Sequence, residues 1–241
     1  MSCRGTVSCS LINYLIGLSN VDPLMAYPAL YPEFYFGIDG EKLPEFELNV
    51  TKETFLKLSN YFDYITYDVP CDFYFLRNET FAKIPLLSDF HDSFEFNFII
   101  INDDAAMASI VDGEAFTLCT PKTLSEYLKC YGLMHGTGTW TDNAKNLLTE
   151  NTATLDEVIG HREDIFEFLL NYGVDKSDAF LIAEQVRFGK FKRQGWYTGT
   201  LKILRDSNVP NWFIDSCQKI DCLLPRSHAM SYFKRYYSNL F

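Results

Sequence analysis

Two carboxylates at i and i+2 of one extended run, Glu45 and Glu47 in "EKLPEFELNV", open the chemistry of this chain. Alternation along a strand puts both on one face, the spacing that lets a strand offer two oxygen ligands to a divalent cation such as Mg²⁺. They are equally consistent with solvent-facing strand residues, Phe46 and Leu48 turning to the core. A second stretch, "RGTVSCS" (4–10), sets small hydroxyl residues ahead of an apolar-periodic run. Backbone N–H and side-chain O–H groups at such a helix start can take phosphate oxygens, or can simply cap a helix. His135 in "HGTGTW" reads as a turn between helices.

The elements that would carry these groups follow from periodicity. A helix is expected over roughly 8–17, ending before Pro23, then a Pro- and Gly-rich loop over 25–44 and a strand over 45–50. Residues 51–62 look helical. "YITYDV" and "DFYFL" are short aromatic β-like runs, and "FEFNFIIIN" (94–102) is a strong strand. Beyond 105 the pattern turns helical. "TPKTLSEYLKCYGL" has Thr120 as expected N-cap with Pro121 at the first helical position. "DNAKNLL", "TLDEVIGHREDIFEFLLNYG" and "KSDAFLIAEQVRFGK" follow, the last closed by Gly189. The fold class expected is α+β, with an α/β unit over 1–110 and an all-helical unit over 111–241.

Composition adds bounds. At 241 residues and 47% apolar, the chain can bury a real core. Residues 1–118 hold 6 basic and 18 acidic residues, whereas 187–241 hold 10 basic and 3 acidic. The basic end suits a polyanion, and the acidic front repels one unless cations intervene. The 7 cysteines include no CxxC pair, which argues against structural zinc and fits reduced thiols. No apolar leader and no long apolar run occurs, so the expectation is a cytoplasmic protein with no membrane partner.

Three stretches together resemble the replicative DNA polymerase III alpha subunit of the PolC type. "PKTLSEYLKCYGLMHGTGTWTDNAKNLL", "TATLDEVIGHREDIFEFLLNYGVDKSDAFLIAEQVRFGK" and "VPNWFIDSCQKIDCLLPRSHAMSY" look like its fingers domain, over roughly 119–232. At the front, "RGTVSCSLINYLIGLSNVDPL", "GIDGEKLPEFELNV" and "HDSFEFNFIIINDD" are similar to pieces of its palm. The resemblance implies a reduced palm remnant followed by a fingers-like helical domain, shortened within 52–90 and truncated.

It also implies roles. The family performs two-metal nucleotidyl transfer with three aspartates. By position these fall on Glu45, Glu47 and Phe98, and Phe98 carries no oxygen for Mg²⁺. Arg4, Gly5, Thr6 and Ser10 keep the family's nucleotide-binding pattern, with Ser8 where a glycine stands. Arg226 (a lysine in the family) and His228 in "LPRSHA" would touch nucleotide, and Lys190, Lys192 and Arg193 in "GKFKR" would touch DNA; a plain solvated basic surface is the other reading. The implied function is a catalytically degenerate DNA- or nucleotide-binding relative, with DNA and dNTP as partners and Mg²⁺ needed only if active. Two alternatives stand beside it: a minimal active DNA-directed DNA polymerase, and a decayed duplicate without selected activity.

Overall fold

The computed structural model describes residues 2–42, 46–58, 60, 65–69, 79–85, 95–101 and 113–236. Contacts divide the chain into two units, Met1–Ile110 with Met230–Phe241, and Val111–Ala229. The C-terminal residues from Met230 thus group with the front of the chain and not with the helical half.

The first unit is built on a five-stranded sheet in the order β1-β2-β5-β4-β3. Its strands are β1 (Ser2–Arg4), β2 (Phe46–Thr51), β3 (Ile65–Val69), β4 (Glu79–Pro85) and β5 (Glu95–Ile101). β2 pairs with β5 in parallel, and every other pairing is antiparallel. The apolar run of β5 suits its place between two partners. On β2, Leu48 and Val50 are buried, and α3 (Lys52–Leu58) packs on β2 and β5 with Phe55 inward. The "DFYFL" run lies outside the described residues.

The helix expected over 8–17 is shorter: a 3-10 turn at Val7–Cys9, then α1 at Leu11–Leu15. Ser10 is extended and its side chain accepts from the Asn13 N–H, which restarts the helix there. Gly17, at φ 77°, ends it. The loop over 25–44 contains one short helix, α2 (Glu33–Phe36), whose Tyr35 hydroxyl accepts from Asn13 Nδ2 at 3.0 Å.

The second unit is helical: α4 (Glu114–Cys119), α5 (Leu124–His135), α6 (Lys145–Thr149), α7 (Arg162–Asn171), α8 (Lys176–Arg187), α9 (Lys190–Gln194), α10 (Thr198–Asp206), α11 (Asn211–Lys219) and the start of α12 (Arg226–Tyr236). Two expectations are corrected. Thr120 does not begin α5; it closes α4 with φ 45°. The true N-cap is Thr123, whose side chain accepts from Glu126 N, while Glu126 Oε2 accepts from Thr123 N at 2.9 Å and Lys122 N at 2.7 Å. That reciprocal capping box satisfies two orphan donors, which Pro121 cannot match.

Likewise, 155–160 is not the first turn of α7. Lys129 reaches across from α5 and donates to the carbonyls of Asp156 (3.1 Å) and Val158 (2.7 Å), diverting acceptors a helix would use. Val158 and Ile159 are still buried, so periodicity gave their environment but not their conformation. Here α5 runs so close to this turn that a Cβ on Gly132 would collide with the Gly160 carbonyl oxygen.

Candidate functional site

The sheet fixes which expected metal ligands meet. Residues directly opposite each other on paired strands share a face. Glu47 stands opposite Asn97 on β5 and opposite Arg4 on β1, and Asn97 in turn faces Lys83 on β4. Phe98 is opposite Leu48 and Ala82. The register therefore pairs Glu47 with Asn97, and Phe98 with Leu48. The row reads Arg4, Glu47, Asn97, Lys83: one carboxylate, one amide and two cations. Glu95 stands two residues from Asn97 along β5, opposite Pro85 on β4. Sequence matching passed over Glu95; strand alternation alone would have placed it with Asn97. Glu45 lies outside the described residues, as do the flanking pairs His91-Asp92 and Asp103-Asp104. Among the described residues, no group of three or more His, Cys, Asp or Glu is arranged to hold a metal ion.

Part of the 4–10 stretch bonds inward. Gly5, at φ 61°, turns the chain out of β1. The N–H groups of Cys9 and Ser10 bond the carbonyls of Thr6 (2.9 Å) and Val7 (3.3 Å). Ser8, fully buried, shares a hydrogen bond with Ser231 and accepts one from Ser19 at 3.3 Å. A serine where the family has glycine is thus part of a buried hydroxyl cluster. Thr6 is half-buried, and Ser10 is the α1 cap.

Arg226 and His228 open α12 and are both buried. The Arg226 guanidinium donates two parallel bonds to Glu167, at 2.7 Å each, and a third to Asp164 at 2.9 Å. Its backbone N–H goes to Glu163 at 2.8 Å. Burial alone would lower the Arg226 pKa, but Glu167, Asp164 and Glu163 hold it well above the ordinary arginine range. Asp164 also pairs with Lys129 at 3.0 Å and accepts from the N–H groups of Gly160 and His161. Burial would raise its carboxyl; Lys129 and Arg226 overcome that and pull it far below the usual carboxylate range. A second chain of charges runs from Glu163 through Arg162 to Glu184 and Arg187. These contacts lock "HRED" and "LPRSHA" together, helped by a bridge between His161 and Leu224. Arg226 is buried, and its guanidinium bonds go to Glu167 and Asp164 of the same unit. Sequence reading missed its partners, although Glu163 and Glu167, at i and i+4, share one helix face.

His135 is half-buried, its ring 4.2 Å from Tyr131, and burial pushes its pKa down to about 4. It is the last residue of α5, so the turn expected at "HGTGTW" begins after it.

Lys190, Lys192 and Arg193 are exposed on α9. Asp221 takes Arg193 Nη1 at 2.6 Å and Lys192 Nζ at 3.7 Å. Arg193 Nη2 also donates to the Phe188 carbonyl, closing the end of α8. One carboxylate facing two cations leaves the turn net positive.

Fold and site together define a mixed α+β chain: a sheet row with one central carboxylate, and a helical unit fastened by buried charge pairs. The chain is a partial relative of the PolC-type DNA polymerases III. It is 45% identical over 112 residues to the Bacillus cereus DNA polymerase III PolC-type, covering 46% of this chain and 8% of that protein. The Streptococcus thermophilus protein of the same name is 42% identical over 114 residues, 46% of this chain and 8% of the relative. That of Caldanaerobacter subterraneus is 40% identical over 130 residues, 50% and 9% respectively. The chain thus spans under a tenth of the length of these relatives. No protein-family model matches it. Among the described residues, no helix is long and apolar enough to cross a membrane.

Proposed function

We propose that this chain is a PolC-derived DNA- or nucleotide-binding module of the cytoplasm, with a palm-like sheet and a fingers-like helical unit, that does not catalyse nucleotidyl transfer. One observation carries the second half: the residue paired with Glu47 on β5 is the amide Asn97, while Phe98, which has no oxygen, pairs with Leu48. Two-metal transfer needs carboxylates that bridge both ions, and an amide carbonyl is neutral and a far weaker ligand for Mg²⁺. DNA contact falls to Lys190, Lys192 and Arg193, the exposed cations of α9. Arg4, Gly5, Thr6 and Ser10 shape the loop that would receive a nucleotide, while Arg226 and His228 brace the helical unit from within.

Glu95, two residues before Asn97 on β5, favours a second reading, a minimal polymerase that enlists it beside Glu47. Primer extension with dNTPs and Mg²⁺ or Mn²⁺, at enzyme in excess of primer, separates the two. The proposal expects no incorporation above a Glu45→Ala/Glu47→Ala control. Incorporation by the unaltered chain that disappears in both Glu47→Ala and Glu95→Ala would overturn it. For the binding half, reversing Lys190, Lys192 and Arg193 to Glu should weaken DNA binding and flatten the log–log salt slope by up to about 3; an unchanged slope at low salt would remove α9 from the interface.

A further inference from the structure

Between Glu184 and Asp206 the chain carries six basic residues and no acidic one. Two of its aromatic side chains point into solvent around the same turn: Phe188 is 52% exposed and Tyr197 44%. They flank α9, whose Lys190, Lys192 and Arg193 lie between them in sequence. Local bonds fix the arrangement. Arg193 reaches back to the Phe188 carbonyl. The Tyr197 hydroxyl donates to Gln194 Oε1 at 2.8 Å. Beneath, the Phe191 ring is buried and stacks on Trp196 at 4.0 Å, with Tyr197 edge-on at 5.9 Å. The Arg187 guanidinium sits over the Phe188 ring, 4.7 Å from its centroid. Two exposed rings anchored on a rigid aromatic base, separated by cations, are an unusual use of surface for a residue type that folding normally buries.

We infer that this turn is a single-strand reader: unpaired bases stack on Phe188 and Tyr197 while Lys190, Lys192 and Arg193 hold the intervening phosphates. The inference deepens the α9 DNA-binding reading and rests on it. Duplex DNA offers the same phosphates but keeps its base faces stacked inside the helix, so rings at the protein surface gain nothing from it. Single strands expose a π-face at every base, and stacking with flanking cations is the general chemistry that holds them without sequence preference. The excess positive charge of the turn, with only Asp221 set against Lys192 and Arg193, argues for a polyanion over an apolar partner. Exposed aromatic rings argue for one carrying flat unpaired groups over a plain acidic peptide.

The test is fluorescence anisotropy of the full chain at low salt with a labelled oligothymidylate of about 15 nucleotides, the matching duplex, and polyglutamate as competitor. The single strand should bind more tightly than the duplex, and polyglutamate should compete poorly. Phe188→Ala and Tyr197→Ala should each weaken the single strand by about 5- to 100-fold and leave duplex binding unchanged. Both rings are surface residues, and circular dichroism confirms that the variants fold. If the single strand and duplex bind alike, and only charge reversal on α9 matters, the single-strand inference falls and the DNA-binding reading survives. Effective displacement by polyglutamate also overturns it, as a generic anion surface. No binding of either DNA removes both readings.

Discussion

At the residue scale, the densest chemistry in the molecule is devoted to holding it together. Arg226 is surrounded by Glu163, Asp164 and Glu167. Removing one partner of a buried pair leaves charge without solvent or counterion and typically costs about 3–5 kcal/mol. Arg226→Met should therefore lower the urea midpoint of the helical unit sharply. Arg226→Lys, which keeps the charge but cannot make the two-pronged bond to Glu167, should fall in between. A midpoint unchanged by Arg226→Met would mean the pairs contribute nothing. The histidines set a pH dependence. Burial holds His161 down to about 3 and His135 to about 4, whereas an unfolded chain takes up these protons near 6.5. As pH falls below about 6.5 the unfolded state gains protons that the folded state refuses, so stability declines towards pH 4. The decline is at most about 1.4 kcal/mol per pH unit for each histidine. Asp164 extends the loss to more acidic pH, since its depressed carboxyl contributes stability only while ionised. Denaturant melts from pH 7 to 4 measure the slope, and His135→Gln should reduce it by about one proton.

Among the elements, sequence pattern was most legible where one physical demand acted alone. The β5 run and the amphipathic α8 needed only burial and periodicity, and both form close to the expected bounds. Legibility failed where two local solutions competed. Thr120-Pro121 and Thr123-x-x-Glu126 are both helix starts, and the second forms because it satisfies backbone donors reciprocally. Thr123→Ala should cost about 1 kcal/mol, and Thr120→Ala should not unwind α5; equal effects in a thermal melt would contradict that assignment. The turn at 155–160 was illegible because its acceptors are claimed by Lys129, a partner far off in the chain. For the site, Glu47 could be read from alternation, but its partner on β5, Asn97, depended on strand register, which no sequence pattern supplies.

On the scale of the whole molecule, two kinds of architecture share one chain. The sheet joins segments distant in sequence, Leu48 with Phe98 across the parallel β2–β5 pair. The helical unit is assembled mainly from neighbours, α7 on α8 and α4 on α5. Long-range closure is slow relative to local helix pairing, so after dilution from denaturant the two should not recover together. Trp140, Trp196 and Trp212 all fall within Val111–Ala229. Intrinsic tryptophan emission is consequently a one-sided gauge: it follows the helices regaining their shape and stays blind to the strands, so an optical trace that looks complete can be recorded while half the polypeptide is still finding its partners.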